Sequence, residues 1–241
     1  MDEKKEQEIN TFHTHIVKTL KRTVQYVFFS ATFDPVISEK ISAIVTEANQ
    51  IHLKEEQLKL DNIQQYYMRC KKNEKVKFIK DVYESITGKT QTIIFVNSRE
   101  FAVKVFTFLK DDGFQVSLIM GGDMRKEERD KQIEKFRSGA STVVITTDLL
   151  ARGFDMPTIQ LVINYDVPHK RGVPEYELYL HRIGRAGRFG TPGVAVTLYD
   201  RDEDEEVFWK IIDKYSMKDK VIQLDNPEML GKAIEDLPTD F

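Results

Sequence analysis

Two stretches of this chain combine residue types suited to phosphate. One is His181-Arg182-Ile183-Gly184-Arg185-Ala186-Gly187-Arg188, in which three arginines are spaced by glycines. A guanidinium is planar, permanently charged and rich in N–H donors, and a glycine removes a side chain from the path of an approaching phosphate. Arg185 and Arg188 stand three apart, so on a helical turn they share a side and can together oppose charge developing on a transferred phosphoryl group. A surface cluster of ion pairs is the competing explanation, but it has no need of the intervening glycines. The other stretch is Thr146-Thr147-Asp148-Leu149-Leu150-Ala151-Arg152-Gly153-Phe154-Asp155. There Thr147 offers a hydroxyl and an amide to a backbone phosphate, and Asp155 can accept hydrogen bonds from ribose hydroxyls. Alternatively, Asp148 caps a helix and Gly153 makes a turn.

The elements that must position these residues alternate along the chain. Short β-branched and apolar runs are followed by segments of period 3.6, the pattern of an α/β protein built on a parallel sheet. Residues 64–70, 92–96, 116–119, 143–146, 161–165 and 194–198 read as strands. Helices are expected over 74–87, with Val76, Ile79, Val82, Tyr83 and Ile86 inward, and after Asn97-Ser98, with Phe101, Val105, Phe108 and Leu109 on one face and Gly113 as its stop. Another follows Gly121-Gly122, with Ile133 and Phe136 inward. Both candidate stretches lie beyond or near the carboxyl end of a strand, where open α/β sheets hold their ligands. Residues 24–29 read as a further strand, 35–45 as a helix and 50–53 as a weak strand, too few elements for an independent core. The acidic run from Asp200 to Glu206 reads as a helix start complementing the macrodipole.

Composition narrows the function. A chain of 241 residues, 41% hydrophobic and 31% charged, is ordinary for a globular protein and excludes a disordered or fibrous design. No apolar run is long enough for a bilayer and no signal-peptide core follows the charged start, so an intracellular protein is expected. The net charge of −3 means that any nucleic acid is held by a few placed cations, not by a generally basic surface. Cys70 is the one cysteine and reads as a packing residue, and His13 and His15 lack ligand partners, so no metal site is expected. Gly88-Lys89-Thr90 is not a P-loop: Tyr83 stands where the motif needs its first glycine, and the triplet precedes a strand instead of following one.

Taken together, the motifs resemble those of the C-terminal lobe of the DEAD-box RNA helicases. Ser30-Ala31-Thr32 is similar to motif III of that family, Ile94-Phe95-Val96-Asn97-Ser98-Arg99 to motif IV, and Gly122-Asp123-Met124 with Arg129 and Phe136-Arg137 to motif IVa. Residues 147–155 resemble motif V and 181–188 motif VI, whose histidine at 181 favours the DEAD-box group over relatives that carry glutamine there. The resemblance implies a RecA-like parallel sheet flanked by helices over residues 62–241, a linker at 55–61 and, in residues 1–54, the remnant of a first RecA-like lobe. It further implies an RNA-stimulated ATPase using ATP with Mg2+, whose P-loop and metal carboxylates would lie on that missing first lobe, leaving this chain inactive alone. Arg185, Arg188 and His181 are then the catalytic residues, the arginines at the γ-phosphate and His181 bridging the lobes. Gly153 and Asp155 would lie near the ribose, while Ser30, Ala31 and Thr32 would couple the lobes. Single-stranded RNA would run over Asn97, Arg99, Gly122, Arg129 and Thr147.

Lys126 departs from the family, which usually has glutamine there. The long loop at 168–176 and the ending 221–225 followed by a short helix are similar to the messenger-RNA export helicases of the nuclear pore. That likeness implies nuclear-pore and export-activator partners and a place in cytoplasm and nucleus. The alternative is a non-catalytic RNA-binding or adaptor module on the same lobe. The orphan N-terminal segment would bury itself in a homo-oligomer.

Overall fold

The computed structural model describes residues 3–20, 24–29, 35–45, 47–51, 60–86, 90–121, 124–151, 159–187 and 191–238. Two compact units, residues Met1–Leu53 and Lys54–Phe241, divide the chain.

The first unit holds helices α1 (Glu3–Leu20) and α2 (Pro35–Ile44). The strand expected at 24–29 does not form: the segment pairs with no strand, and Phe29 is 94% exposed. An extended run becomes a strand only where a neighbour takes its N–H and C=O groups, and the described residues of this unit offer none. The same holds for residues 50 and 51 of the expected weak strand. Tyr26 instead hydrogen-bonds His13 Nδ1 at 3.0 Å, their ring centroids 5.4 Å apart.

The second unit carries a seven-stranded sheet of β1 (Ile63–Arg69), β2 (Gln91–Phe95), β3 (Val116–Ile119), β4 (Val143–Thr146), β5 (Ile159–Asn164), β8 (Gly193–Tyr199) and β9 (Val221–Gln223), with β6 (His169–Lys170) and β7 (Val173–Pro174) forming a separate hairpin. Its order is β3-β4-β2-β5-β8-β1-β9, and every pairing is parallel. Helices α3 (Lys75–Ser85), α4 (Arg99–Asp111), α5 (Lys126–Arg137), α6 (Tyr176–Ile183), α7 (Asp202–Lys214) and α8 (Pro227–Glu235) connect or follow the strands.

Alternation along the strands sorts the core into two layers. Ile93, Phe95, Val144 and Val162 face Phe136 of α5, Tyr179 and Ile183 of α6 and Phe208 and Ile211 of α7. Ile94, Val96, Ile145 and Ile163 face Ile79 and Val82 of α3, Val105 and Leu109 of α4 and Leu230 of α8. Covered on both sides, the central strands need apolar residues at every position, and all seven residues of β8 are buried.

On α4 the buried stripe is Ala102, Val105 and Leu109, whereas Phe108, expected inward, is 50% exposed. Phe101 and Phe108 fall on the flank of that stripe, where lysine ammoniums cover them: Lys72 Nζ lies 3.7 Å from the Phe101 centroid and Lys80 Nζ 5.9 Å from that of Phe108. Gly113 ends α4 at φ 88°, in the left-handed region, with Phe114 N–H returning to Leu109 O at 3.0 Å. Four carboxylates open α7, as the acidic run predicts. Cys70 is buried at the end of β1, and desolvation pushes its thiol up to about 11, so it stays protonated as a packing residue.

Candidate nucleotide and RNA rim

The sheet order places the carboxyl ends of β4, β2 and β5 side by side, with the chain crossing from one side of β2 to the other between β4 and β5. Such a reversal leaves a crevice beyond the strand ends. Thr147 and Asp148 leave β4, Asn97 follows β2, and Tyr165, Asp166 and Val167 follow β5.

One side chain ties these three ends together. Arg182, in the last turn of α6, is 0% exposed and makes four hydrogen bonds. Nε and Nη2 donate to Asp148 Oδ1 at 2.9 and 2.5 Å, Nη2 also donates to Asn97 Oδ1 at 2.7 Å, and Nη1 donates to the Asp166 carbonyl at 2.9 Å. Its guanidinium carbon sits 5.3 Å from the Phe95 ring centroid. A planar fork meets such divergent acceptors, which a lysine ammonium cannot do.

A second buried cation reinforces the rim. Lys75 Nζ donates to the Tyr165 carbonyl at 2.5 Å and lies 3.3 Å from Asp166 Oδ1, while Asp166 Oδ2 accepts the Asn97 backbone N–H at 3.0 Å. Asn97 completes the circuit by donating from Nδ2 to the Val167 carbonyl at 2.7 Å. The Asn97 carboxamide, expected on RNA, is thus engaged at both ends within the protein.

The arginine-rich turn leaves the end of α6 and reaches the opposite, amino ends of β1 and β8. Arg185 is 7% exposed, and its Nε donates to the His181 carbonyl at 3.1 Å, which fixes the direction of its guanidinium. His181 itself is half-buried. The glycines answer to the chain's own packing. Gly187 has φ 65°, and a Cβ there would lie 2.8 Å from Asn62 Nδ2, 2.9 Å from Ile63 Cγ1 and 3.0 Å from the Thr191 carbonyl. Asn62 Nδ2 donates to the carbonyls of Gly187 and Thr191, and the Asn62 carbonyl accepts the Gly193 N–H at 2.9 Å, so the turn is clamped onto the starts of β1 and β8. Gly187→Ala is expected to lower stability by about 2–4 kcal/mol, from left-handed strain plus overpacking; a urea melt checks it.

Of the other expected site residues, Thr147 is half-buried directly after β4, with its carbonyl accepting from Thr146 Oγ1 at 2.8 Å. Arg99 is exposed at the start of α4. Arg129 is half-buried on α5, and its Nε is buried without a hydrogen-bond partner. Ser30, Ala31, Thr32, Gly122, Gly153, Asp155 and Arg188 lie outside the described residues. Three positioning residues escaped the sequence reading: Arg182, Lys75 and Asp166. Two of them carried a signal. Arg182 shares a helical face with Tyr179 and Ile183, and Lys75 begins the stripe Phe78, Ile79, Val82, so each is a cation on an apolar face.

A parallel sheet of this order, with a buried arginine of α6 joining the strand ends at its reversal, defines a RecA-like C-terminal helicase lobe. Comparison with known proteins agrees. A family described as the helicase conserved C-terminal domain matches residues 74–190. The chain is 42% identical over 189 residues to ATP-dependent RNA helicase DBP5 of Candida albicans, covering 77% of this chain and 35% of that protein. It is 37% identical over 219 residues to human ATP-dependent RNA helicase DDX19B, covering 90% and 45%. Among solved structures, the C-terminal domain of the DEAD-box protein Dbp5 is 34% identical and wholly covered, by 74% of this chain, at a TM-score of 0.63. S. cerevisiae Dbp5 bound to RNA and ADP BeF3 is 35% identical with a TM-score of 0.80, over 91% of this chain and 56% of that one. The chain belongs to the DEAD-box RNA helicase family. It spans less than half the length of the curated relatives it matches.

Proposed function

We propose that this chain is the C-terminal half of an ATP-dependent RNA helicase, in which ATP hydrolysis drives RNA binding, local unwinding or remodelling of RNA–protein complexes. The observation that carries this reading is that Arg182, at the end of the helix leading into the arginine-bearing turn, gathers the carboxyl ends of β4, β2 and β5. The rim fits a polyphosphate: Arg185 is nearly desolvated, which strengthens its interaction with charge. Bound ATP with Mg2+ would supply the transferable phosphoryl group and the metal charge that neutralises it. In this reading the metal carboxylates belong to a first lobe.

In this reading Arg185 and Arg188 oppose the charge that develops on the phosphoryl oxygens, and His181 meets the other lobe across the cleft. Gly153 and Asp155 hold the ribose, and Ser30, Ala31 and Thr32 couple the lobes across the linker at 55–61. Arg99, Gly122, Arg129 and Thr147 meet the sugar-phosphate backbone of single-stranded RNA, and Asn97 orients the rim beneath it. Contacts of that kind carry no base readout.

Solved complexes of S. cerevisiae Dbp5 with gle1 and IP6, and with nup159, gle1, IP6 and ADP, support partners of the same kind here, hence messenger-RNA export, work in cytoplasm and nucleus and a site at the nuclear pore. Self-association through the N-terminal unit would cover its exposed Val27, Phe29 and Ile51.

RNA binding and phosphate release by the purified chain test this reading. Single-stranded RNAs of unrelated sequence should bind within a few-fold of one another, and the chain alone should release no phosphate with or without RNA. Strong sequence preference, or RNA-stimulated release by the chain alone, would overturn it.

A further inference from the structure

We propose that the tip of the β6–β7 hairpin, Lys170 and Arg171, is an additional contact for the phosphate backbone of a nucleic-acid strand, beside the rim. It deepens the RNA reading above and rests on it. Lys170 pairs with Val173, leaving a two-residue turn in which Arg171 (φ 52°) and Gly172 (φ 80°) both take left-handed conformations. Such turns favour asparagine or aspartate followed by glycine, because a long L side chain is unfavourable at positive φ. The chain nevertheless places an arginine there.

Neither that arginine nor Lys170 is neutralised. Among the described residues Lys170 and Arg171 have no ion-pair or hydrogen-bond partner for their side chains, and both are exposed. In a protein of net charge −3, two uncompensated cations on a projecting turn form a placed anion contact.

The hairpin is also stiff and registered to the rim. His169 Nδ1 accepts the Gly172 N–H at 3.2 Å, which puts the proton of a neutral ring on Nε2, 3.5 Å from Asp204 Oδ1 on α7. Glu175 N–H donates to the Pro168 carbonyl at 3.1 Å, and the preceding Val167 carbonyl is the one held by Asn97. The exposed Val173 beside the tip offers an apolar face to a sugar or base. The reading of the neighbouring rim as an RNA contact favours a nucleic-acid strand over an acidic polypeptide at this tip.

The test uses the whole chain with a labelled oligouridylate, titrated across KCl concentrations, and thermal melting of each variant. The double variant Lys170→Ala, Arg171→Asn should melt at or above the parent, because asparagine suits the turn. It should bind RNA roughly tenfold more weakly, with the slope of log K against log salt shallower by about 1.4, two lost phosphate contacts at ~0.7 each. Arg171→Lys should keep most of the affinity. If the parent binds and the double variant binds equally with the same slope, the hairpin proposal falls and the RNA reading stands. If the parent binds no RNA, both fall. A loss seen with poly-glutamate and not with RNA overturns the proposal in favour of an acidic polypeptide partner.

Discussion

Replacing Arg185 by alanine, in a protein that joins this lobe to a P-loop lobe, should lower ATP turnover by about 10³- to 10⁵-fold, the effect of removing a transition-state arginine. Arg185 is almost wholly buried, with Nε held by the His181 carbonyl, so its guanidinium is aimed before any nucleotide arrives and loses little freedom on binding. A preorganised charge acts on the transition state more than on the ground state, so turnover should fall far more than ATP affinity. RNA binding without nucleotide should stay within a few-fold of the parent. Arg185→Lys should recover little, since a point charge replaces the fork. Steady-state phosphate release beside RNA titration checks all three; equal loss of turnover and nucleotide-free RNA binding would make Arg185 a structural residue.

The second large effect falls on folding. Arg182→Ala should destabilise the second unit by about 3–5 kcal/mol, the range for breaking a buried charged network. For a unit of this size, that corresponds to a melting-temperature drop of roughly 6–20 °C. The change leaves the Asn97 carboxamide oxygen and the Asp166 carbonyl without their donor and opens a cavity against Phe95. Asp148→Asn should be milder, about 1 kcal/mol, because the Asp148 side chain is 43% exposed and an amide oxygen still accepts from Arg182. Thermal and urea melts decide it; a loss below 1 kcal/mol for Arg182→Ala would show that the strand ends hold their places without it.

The two effects belong to neighbouring residues with opposite duties. Arg182 points inward to hold three strand ends, and Arg185 is held by the His181 carbonyl of the same helix. Spacing separates those duties. Arg182 falls on the face of Tyr179 and Ile183, while Arg185 lies past the helix end in the turn that Gly187 closes.

Most of the sheet was legible because buried parallel strands leave continuous apolar runs, as β2, β4, β5 and β8 do. The helix faces were legible where the stripe was narrow, and misread at Phe108, where an aromatic ring on the flank is covered by a lysine instead of the core. The segment at 24–29 has strand composition, but composition does not supply a pairing neighbour. The loop at 168–176 folds into a hairpin whose turn residues, Arg171-Gly172, lack the usual asparagine or aspartate signal. At the candidate site, the arginine-glycine spacing left the glycines' packing duty hidden, because the atoms crowding Gly187 come from Asn62, Ile63 and Thr191, two of them more than a hundred residues away. The partners that hold the Asn97 side chain, Arg182 and Val167, were hidden likewise, being distant in sequence.

We propose that this lobe completes an ATPase site whose nucleotide is held chiefly by another lobe. RNA-dependent phosphate release, compared for the chain alone, for the P-loop lobe of a DBP5 relative alone and for the two joined by the relative's linker, tests it most directly. Release from the joined protein only, lost on Arg185→Ala, is the predicted result; release from this chain alone, or a joined protein no faster than the P-loop lobe by itself, would contradict it.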